Sequence, residues 1–125
     1  EWEYACRAGS STAYSFGDDL NLLDDHAWYA KNSNELVRAV GLKRPNRFGL
    51  HDMHGNVGEW VADWYGPYAP EAASDPAGPS AGEFRITRGG SFNHWSIHCR
   101  SANRNQVDPD ARSYTRGFRV VLETL

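Results

Sequence analysis

The sequence predicts an α+β chain with few regular elements and a high loop content. Three observations carry this. The first eight residues have a helical apolar face. Two later stretches carry strand patterning. Between them lie long segments rich in Gly, Pro, Asn and Ser, which favour turns for distinct steric and hydrogen-bonding reasons.

Residues 1–8, EWEYACRA, read as the end of a helix. Trp2, Ala5 and Cys6 recur at i, i+3 and i+4, and Gly9 is a natural stop. Residues 9–25 read as loop with turns at Gly9-Ser10-Ser11 and Gly17-Asp18-Asp19. His26 to Tyr29 is a short aromatic segment, suited to a brief strand or one helical turn. Residues 31–49 lack periodicity, and within them RAVGLKRPNRFG (38–49) reads as extended chain. Val57 to Tyr65 is an apolar-rich strand containing Trp60 and Trp64. Residues 66–83 form a surface loop. Phe84 to Arg88 alternates apolar and polar residues and reads as a second strand. Gly89-Gly90 marks tight backbone geometry behind it. Phe118 to Leu122 reads as a buried strand. No helix beyond the first is predicted. So much loop calls for something to hold it.

Length and composition bound the rest. At 125 residues the chain reads as one domain, residues 1–125. The five Trp, six Tyr and five Phe are expected to carry much of the core, because a ring with a polar edge suits an irregular interior. Charge is uneven. Residues 1–84 hold six Lys/Arg against thirteen Asp/Glu, and residues 85–119 hold seven Arg against Asp108 and Asp110. The two halves pair internally, or the Arg-rich half faces an anionic ligand. The Arg are scattered singly and no nucleic-acid-binding motif is present, so nucleic acid is not an expected partner. No apolar run reaches the roughly 20 residues of a helical membrane span, so a membrane is not expected either. No signal peptide is visible. Two cysteines, Cys6 and Cys99, do not make a disulfide framework or a zinc motif. They leave one disulfide or two free thiols open, and the compartment with them.

The most distinctive stretch is NRFGLHDMHGNVGEWVADWY, residues 46–65. It closely resembles the central signature of the formylglycine-generating-enzyme family, the sulfatase-modifying factors. Other segments follow in family order. These are EWEYACRAG (1–9), YSFGDD (14–19), DHAWYAKNS (25–33), DPAGPSAGEFRITRGGSF (75–92), CRSANR (99–104) and GFRVV (117–121). The resemblance implies a C-type-lectin-like fold. It also implies that this chain is the C-terminal part of a longer family domain, whose N-terminal part lies upstream of Glu1. Exposed core edges seek partners, so a homodimer stands among the expectations.

The family's calcium site falls on this signature. The resemblance places its ligands at the Asp52 and Glu59 side chains and the Gly55 and Val57 carbonyls, with Ca2+ as a structural cofactor. Oxygen donors held by a turn are what calcium takes. On the residues alone, two carboxylates that cap turns explain the pattern equally well. His51 and His54 nearby read as solvated loop residues, since two His three apart converge on a metal only from a helix.

The family's named reaction oxidises a sulfatase cysteine with copper held by two active-site cysteines, and soft thiolates are what Cu(I) needs. In active members the pair follows the GGS motif. Here the segment reads GGSFNHWSIHCRSANR. Counted forward from Ser91, His94 stands at the first cysteine position and Cys99 at the second. Counted back from Arg104, Cys99 lies outside the pair, and the CRSANR match favours this count. The pair is incomplete either way, so copper and catalysis are not expected. Ser91 and Cys99 are the residues an oxidase would use.

Other branches of the family use the fold as a binding scaffold, with retroelement-diversified positions between GGS and CRSA and before GFR. The corresponding stretches here are FNHWSIH (92–98), NRNQVD (103–108) and ARSYTR (111–116). Rings with small polar residues make a paratope-like mixture. The expected ligand residues are Asn93, His94, Trp95, Ser96, His98, Asn105, Arg112 and Tyr114, with Trp95 and Tyr114 as anchors. The expected partner is a protein, peptide or small ligand. A third reading is an accessory domain of a larger enzyme.

Overall fold

The computed structural model describes residues 1–68, 74 and 76–122. Its regular elements are few and short. Helix α1 is Trp2–Arg7. A 3₁₀ turn at Leu20–Leu22 runs into the one-turn helix α2, Leu23–His26. Strand β1 is Gly58–Trp64 and β2 is Arg85–Arg88. A second 3₁₀ turn covers Ser96–Cys99. Strand β3 is Asn105–Val107 and β4 is Arg116–Gly117. The strands form one sheet in the order β3-β2-β1-β4. No helix among the described residues is long and apolar enough to cross a membrane.

Helix α1 ends where expected. Ala8 turns left-handed at φ 46°, its N–H bonds the Tyr4 carbonyl, and Gly9 follows at φ 88°. Cys6 is its one fully buried side chain. The Glu3–Arg7 pair at 2.9 Å supports its exposed face. The 3₁₀ turn and α2 correct the expectation of loop. Asp19 initiates them by accepting the Asn21 N–H, and Leu23 drives them by burying completely.

Strands β1 and β2 lie where the alternation placed them. They pair antiparallel through Glu59↔Arg88, Trp60↔Thr87 and Trp64↔Arg85, with an irregularity between Trp60 and Trp64. Strand β3 pairs with β2, from Asn105 opposite Thr87 to Val107 opposite Arg85. Strand β4 runs parallel to β1 at Gly58↔Arg116 and Glu59↔Gly117. Here the expectation of a buried strand at Phe118 to Leu122 fails. Pairing ends at Gly117, and Phe118, Val120, Val121 and Leu122 are all more than 70% exposed. An apolar run becomes core only where something packs on it, and no described element does so here. The expected loop at 66–83 has neither helix nor strand in its described part. Residues 69–73 and 75 lie outside the described residues.

The core also departs from expectation. Tyr14, Tyr29 and Phe92 are buried with Leu23, Met53 and Ile86, but no Trp is. Four Trp instead lie half-buried with a cation over the ring: Trp2 under Arg88, Trp28 under Lys43 and Arg38, Trp60 under Arg116, Trp64 under Arg85. A guanidinium satisfies the ring face while staying near water.

The 53–56 turn supplies what holds the loops. Gly55 N–H bonds the Gly89 carbonyl and Asn56 N–H bonds the Trp28 carbonyl, each at 2.7 Å. The Asn56 carbonyl accepts the Phe92 N–H, also at 2.7 Å. The Asn56 side chain closes on Arg38, accepting its N–H and donating to its carbonyl. Gly55 is required there. Its φ is +80°, and a Cβ would collide with the Trp28 carbonyl.

Candidate functional site

The 52–59 turn comes first. Asp52 is buried, and its Oδ2 accepts the Gly41 N–H at 2.8 Å. Its Oδ1 is buried and has no hydrogen-bond partner among the described residues. Such an atom invites a cation. Glu59 is also buried, but its oxygens are taken. Oε1 accepts from Arg119 Nη2, and Oε2 accepts from Arg119 Nε and Trp2 Nε1, each at 2.7 Å. Arg119 also donates to the His51 carbonyl. No group of three or more His, Cys, Asp or Glu among the described residues could hold a metal. A calcium ion here therefore takes Asp52 as it stands, and Glu59 only in exchange for Arg119.

His54 corrects the expectation of a solvated loop. It is 2% exposed. Its Nε2 meets the Ser15 N–H at 3.1 Å, and its Nδ1 meets the Cys99 carbonyl at 2.7 Å. The rings of Tyr14 and Phe16 meet it edge-on. Burial pulls its pKa down to about 4, so it is neutral at pH 7. Nothing in the local sequence separates it from His51, which is half exposed. The partners that bury His54 are remote in sequence.

Both cysteines are free and fully buried. Burial raises the Cys6 thiol to about 11 and the Cys99 thiol to about 12. Cys6 meets the Met53 carbonyl and Ser101 Oγ, and Cys99 meets the Trp95 carbonyl. Each thiol thus has its own partners. Ser91 is buried and donates to Asn93 Oδ1 at 2.7 Å. Gly90 lets the backbone pass Cys99. A Cβ there would lie 2.8 Å from Cys99 Sγ, at a φ of +73°.

The expected ligand residues divide. His94 and Asn105 line a cavity of about 190 Å³ beside the sheet. His94 Nδ1 is buried without a partner among the described residues, and the His98 ring lies against His94 at 5.1 Å. Trp95 is 68% exposed and Tyr114 78% exposed, the latter stacked on Phe92 at 5.9 Å. Trp95 is also the one Trp without a described cation over its ring. Asn93 and Arg112 are exposed. Ser96 has a structural part, its carbonyl accepting the Tyr14 hydroxyl at 2.8 Å. Sequence reasoning missed Thr87, Thr115 and Arg116, which also line the cavity. The Arg surplus of residues 85–119 was the signal for Arg116.

The FGE-sulfatase model, described as a sulfatase-modifying factor enzyme 1-like domain, matches residues 1–124. The chain belongs to the FGE-sulfatase family. It is 37% identical to the formylglycine-generating enzyme of Streptomyces coelicolor, over 95% of this chain and 43% of that protein. It is 32% identical to the serine/threonine-protein kinase pkn1 of Chlamydia pneumoniae, over 95% of this chain and 19% of that protein. Among solved structures, Treponema denticola variable protein 1 superposes with a TM-score of 0.90 at 34% identity, covering 94% of this chain and 43% of that one. The FGE-like fold is thus shared. The chain spans less than half the length of the curated relatives it matches.

Proposed function

We propose that this FGE-sulfatase domain is a ligand-binding module without oxidase chemistry, and that its ligand is a protein or peptide. The carrying observation is the pair Trp95 and Tyr114, large rings exposed on the two loops that flank the cavity. Rings held in place by a packed scaffold bury large area at little entropic cost. Tyr114 is preset by its stack on Phe92. Trp95 caps a 3₁₀ turn whose end is anchored by buried Cys99. The missing first cysteine after the GGS motif supports a reading without copper chemistry. Calcium, when bound, would be held by Asp52, the Gly55 and Val57 carbonyls and Glu59, and would tie the 52–59 turn together.

Selection of a binder from a displayed peptide library tests the reading. Replacing Trp95 and Tyr114 together with Ala is expected to weaken the selected peptide at least 100-fold at unchanged thermal midpoint, two hot spots of about 2 kcal/mol each. Unchanged affinity overturns the site. Conversion of a sulfatase-derived cysteine peptide to formylglycine in the presence of Cu(I), read by mass, overturns the reading as a whole.

A second reading has its own observation. The match to pkn1 aligns this chain with under a fifth of a protein named as a kinase. This supports the domain as a binding accessory within a larger enzyme.

A further inference from the structure

Of the seven Arg between residues 85 and 119, five are accounted for. Arg88 bonds Glu3, Ser101 and Asn103. Arg119 pairs with Glu59. Arg104 bonds the Gly66 carbonyl and lies 3.8 Å over Tyr68. Arg85 bonds the Ala62 carbonyl and stacks on Trp64, and Arg100 bonds the Ile97 carbonyl. Arg112 and Arg116 have no side-chain hydrogen bond or ion pair among the described residues. Arg112 is exposed, whereas Arg116 is half-buried in the cavity wall, with only the Trp60 ring below it at 6.0 Å.

The cavity around Arg116 is mostly polar, with Val107 and Gly58 as its apolar lining. Thr87 is 3% exposed, and Thr115, His94, Asn105 and Gln106 add further polar groups to the lining. His94 brings the buried, unpartnered Nδ1. An unpaired guanidinium beside one buried ring nitrogen that has no partner among the described residues, with no acid among the lining residues, is short of one acceptor-rich ligand. A carboxylate supplies it, because its two oxygens match the planar fork of Arg. The volume sets the size. About 190 Å³ is room for roughly six waters at ~30 Å³ each. That is below the roughly 300–1,000 Å³ of a drug-sized pocket and suits one amino-acid side chain.

We infer that the cavity between β1, β2 and the 113–116 turn is a carboxylate-binding subsite, in which Arg116 receives an acidic side chain of the bound partner. This rests on the binding reading above and names the ligand chemistry of its central contact. Trp95 and Tyr114 then cover the flanks of the bound segment, and Arg116 reads its charge.

The test uses four probes on the whole chain, followed by amide and Arg side-chain NMR. They are glutarate, its uncharged counterpart glutaramide, and a capped Ala-Glu-Ala peptide beside its Ala-Gln-Ala control. Glutarate and the Glu peptide are expected to give saturating shifts at Thr87, His94, Asn105 and Arg116. Glutaramide and the Gln peptide are expected to give none. A response to glutarate but not to the peptide assigns the site to a free small carboxylate and overturns the acidic side chain as its occupant. Arg116→Gln is expected to lower glutarate affinity at least tenfold, and Arg112→Gln to leave it unchanged. Gly58→Ala gives a variant that keeps the guanidinium. Its Cβ lies 3.6 Å from Thr87 Oγ1 and 3.7 Å from the Thr115 carbonyl, ordinary contacts that fill the cavity, and glutarate binding is expected to fall. Equal shifts with glutaramide, or no saturating shift with glutarate, overturn the subsite. A selected peptide that needs Trp95 and Tyr114 but ignores Arg116→Gln overturns the subsite while leaving the binding reading intact.

Discussion

The 52–59 turn and the 92–117 loops share a sheet but differ in how their polar groups end. In the turn, Asn56, Glu59 and His54 all spend their hydrogen bonds on remote chain, and Asp52 Oδ1 alone is left without a partner among the described residues. In the loops, Trp95 and Tyr114 face water, and among the described residues Arg116 has no acid partner and His94 Nδ1 no hydrogen-bond partner. A satisfied network fixes geometry, and an unsatisfied one keeps capacity for a ligand. The contrast suits a scaffold that carries variable contacts on fixed flanks.

The largest effect is expected at the hinge of the satisfied half. Gly55→Ala combines a positive φ with a collision against the Trp28 carbonyl. It should cost on the order of 4 kcal/mol or prevent folding, read by denaturant unfolding; a loss under 1 kcal/mol would show that the turn adapts. Next is Arg119→Ala, which strands the buried Glu59 carboxylate. A loss of about 3 kcal/mol in EDTA is expected, with part of it regained in millimolar calcium as the ion takes the vacated place. No calcium response in this variant would sink the proposed calcium site.

His54 sharpens the comparison through pH. Its folded pKa of about 4 lies below the ordinary histidine value of 6.5. The unfolded chain therefore binds the proton first on acidification. Stability from neutral His54 is full above about pH 6.5 and is lost as pH falls toward 4, by roughly 3 kcal/mol in total. His54→Gln should flatten the thermal midpoint over that window; an unchanged slope would mean another group carries it. The smallest effect on stability belongs to the open half. Trp95→Ala should shift unfolding by less than about 0.5 kcal/mol, since the ring is exposed. A larger loss would show that Trp95 packs rather than waits for a ligand.

Local pattern was legible wherever one segment settles its own conformation. Helix α1, strands β1 and β2 and the Gly89-Gly90 step were read from periodicity and glycine placement. Strand β3 and the short helical turns were not, because three or four residues carry too little periodicity to register. At the proposed site, the sequence named His94 and Asn105, which line the cavity, and Trp95 and Tyr114, which are exposed beside it, whereas Arg116 was covered only by the 111–116 stretch and not singled out.

The sequence by itself determined the family and the mixed loop-rich class, and it named the segments on which the proposed ligand surface stands. These follow from motif order and local backbone chemistry, which travel with the chain. Only the tertiary structure decided which half of the charge is spent. Glu59 finds Arg119 sixty residues away, and Arg88 finds Glu3 across eighty-five. It also left Phe118, Val120 and Val121 in water and buried His54 instead of His51. Burial and pairing belong to contacts between distant segments, so identical residue types a few positions apart in the sequence take opposite fates.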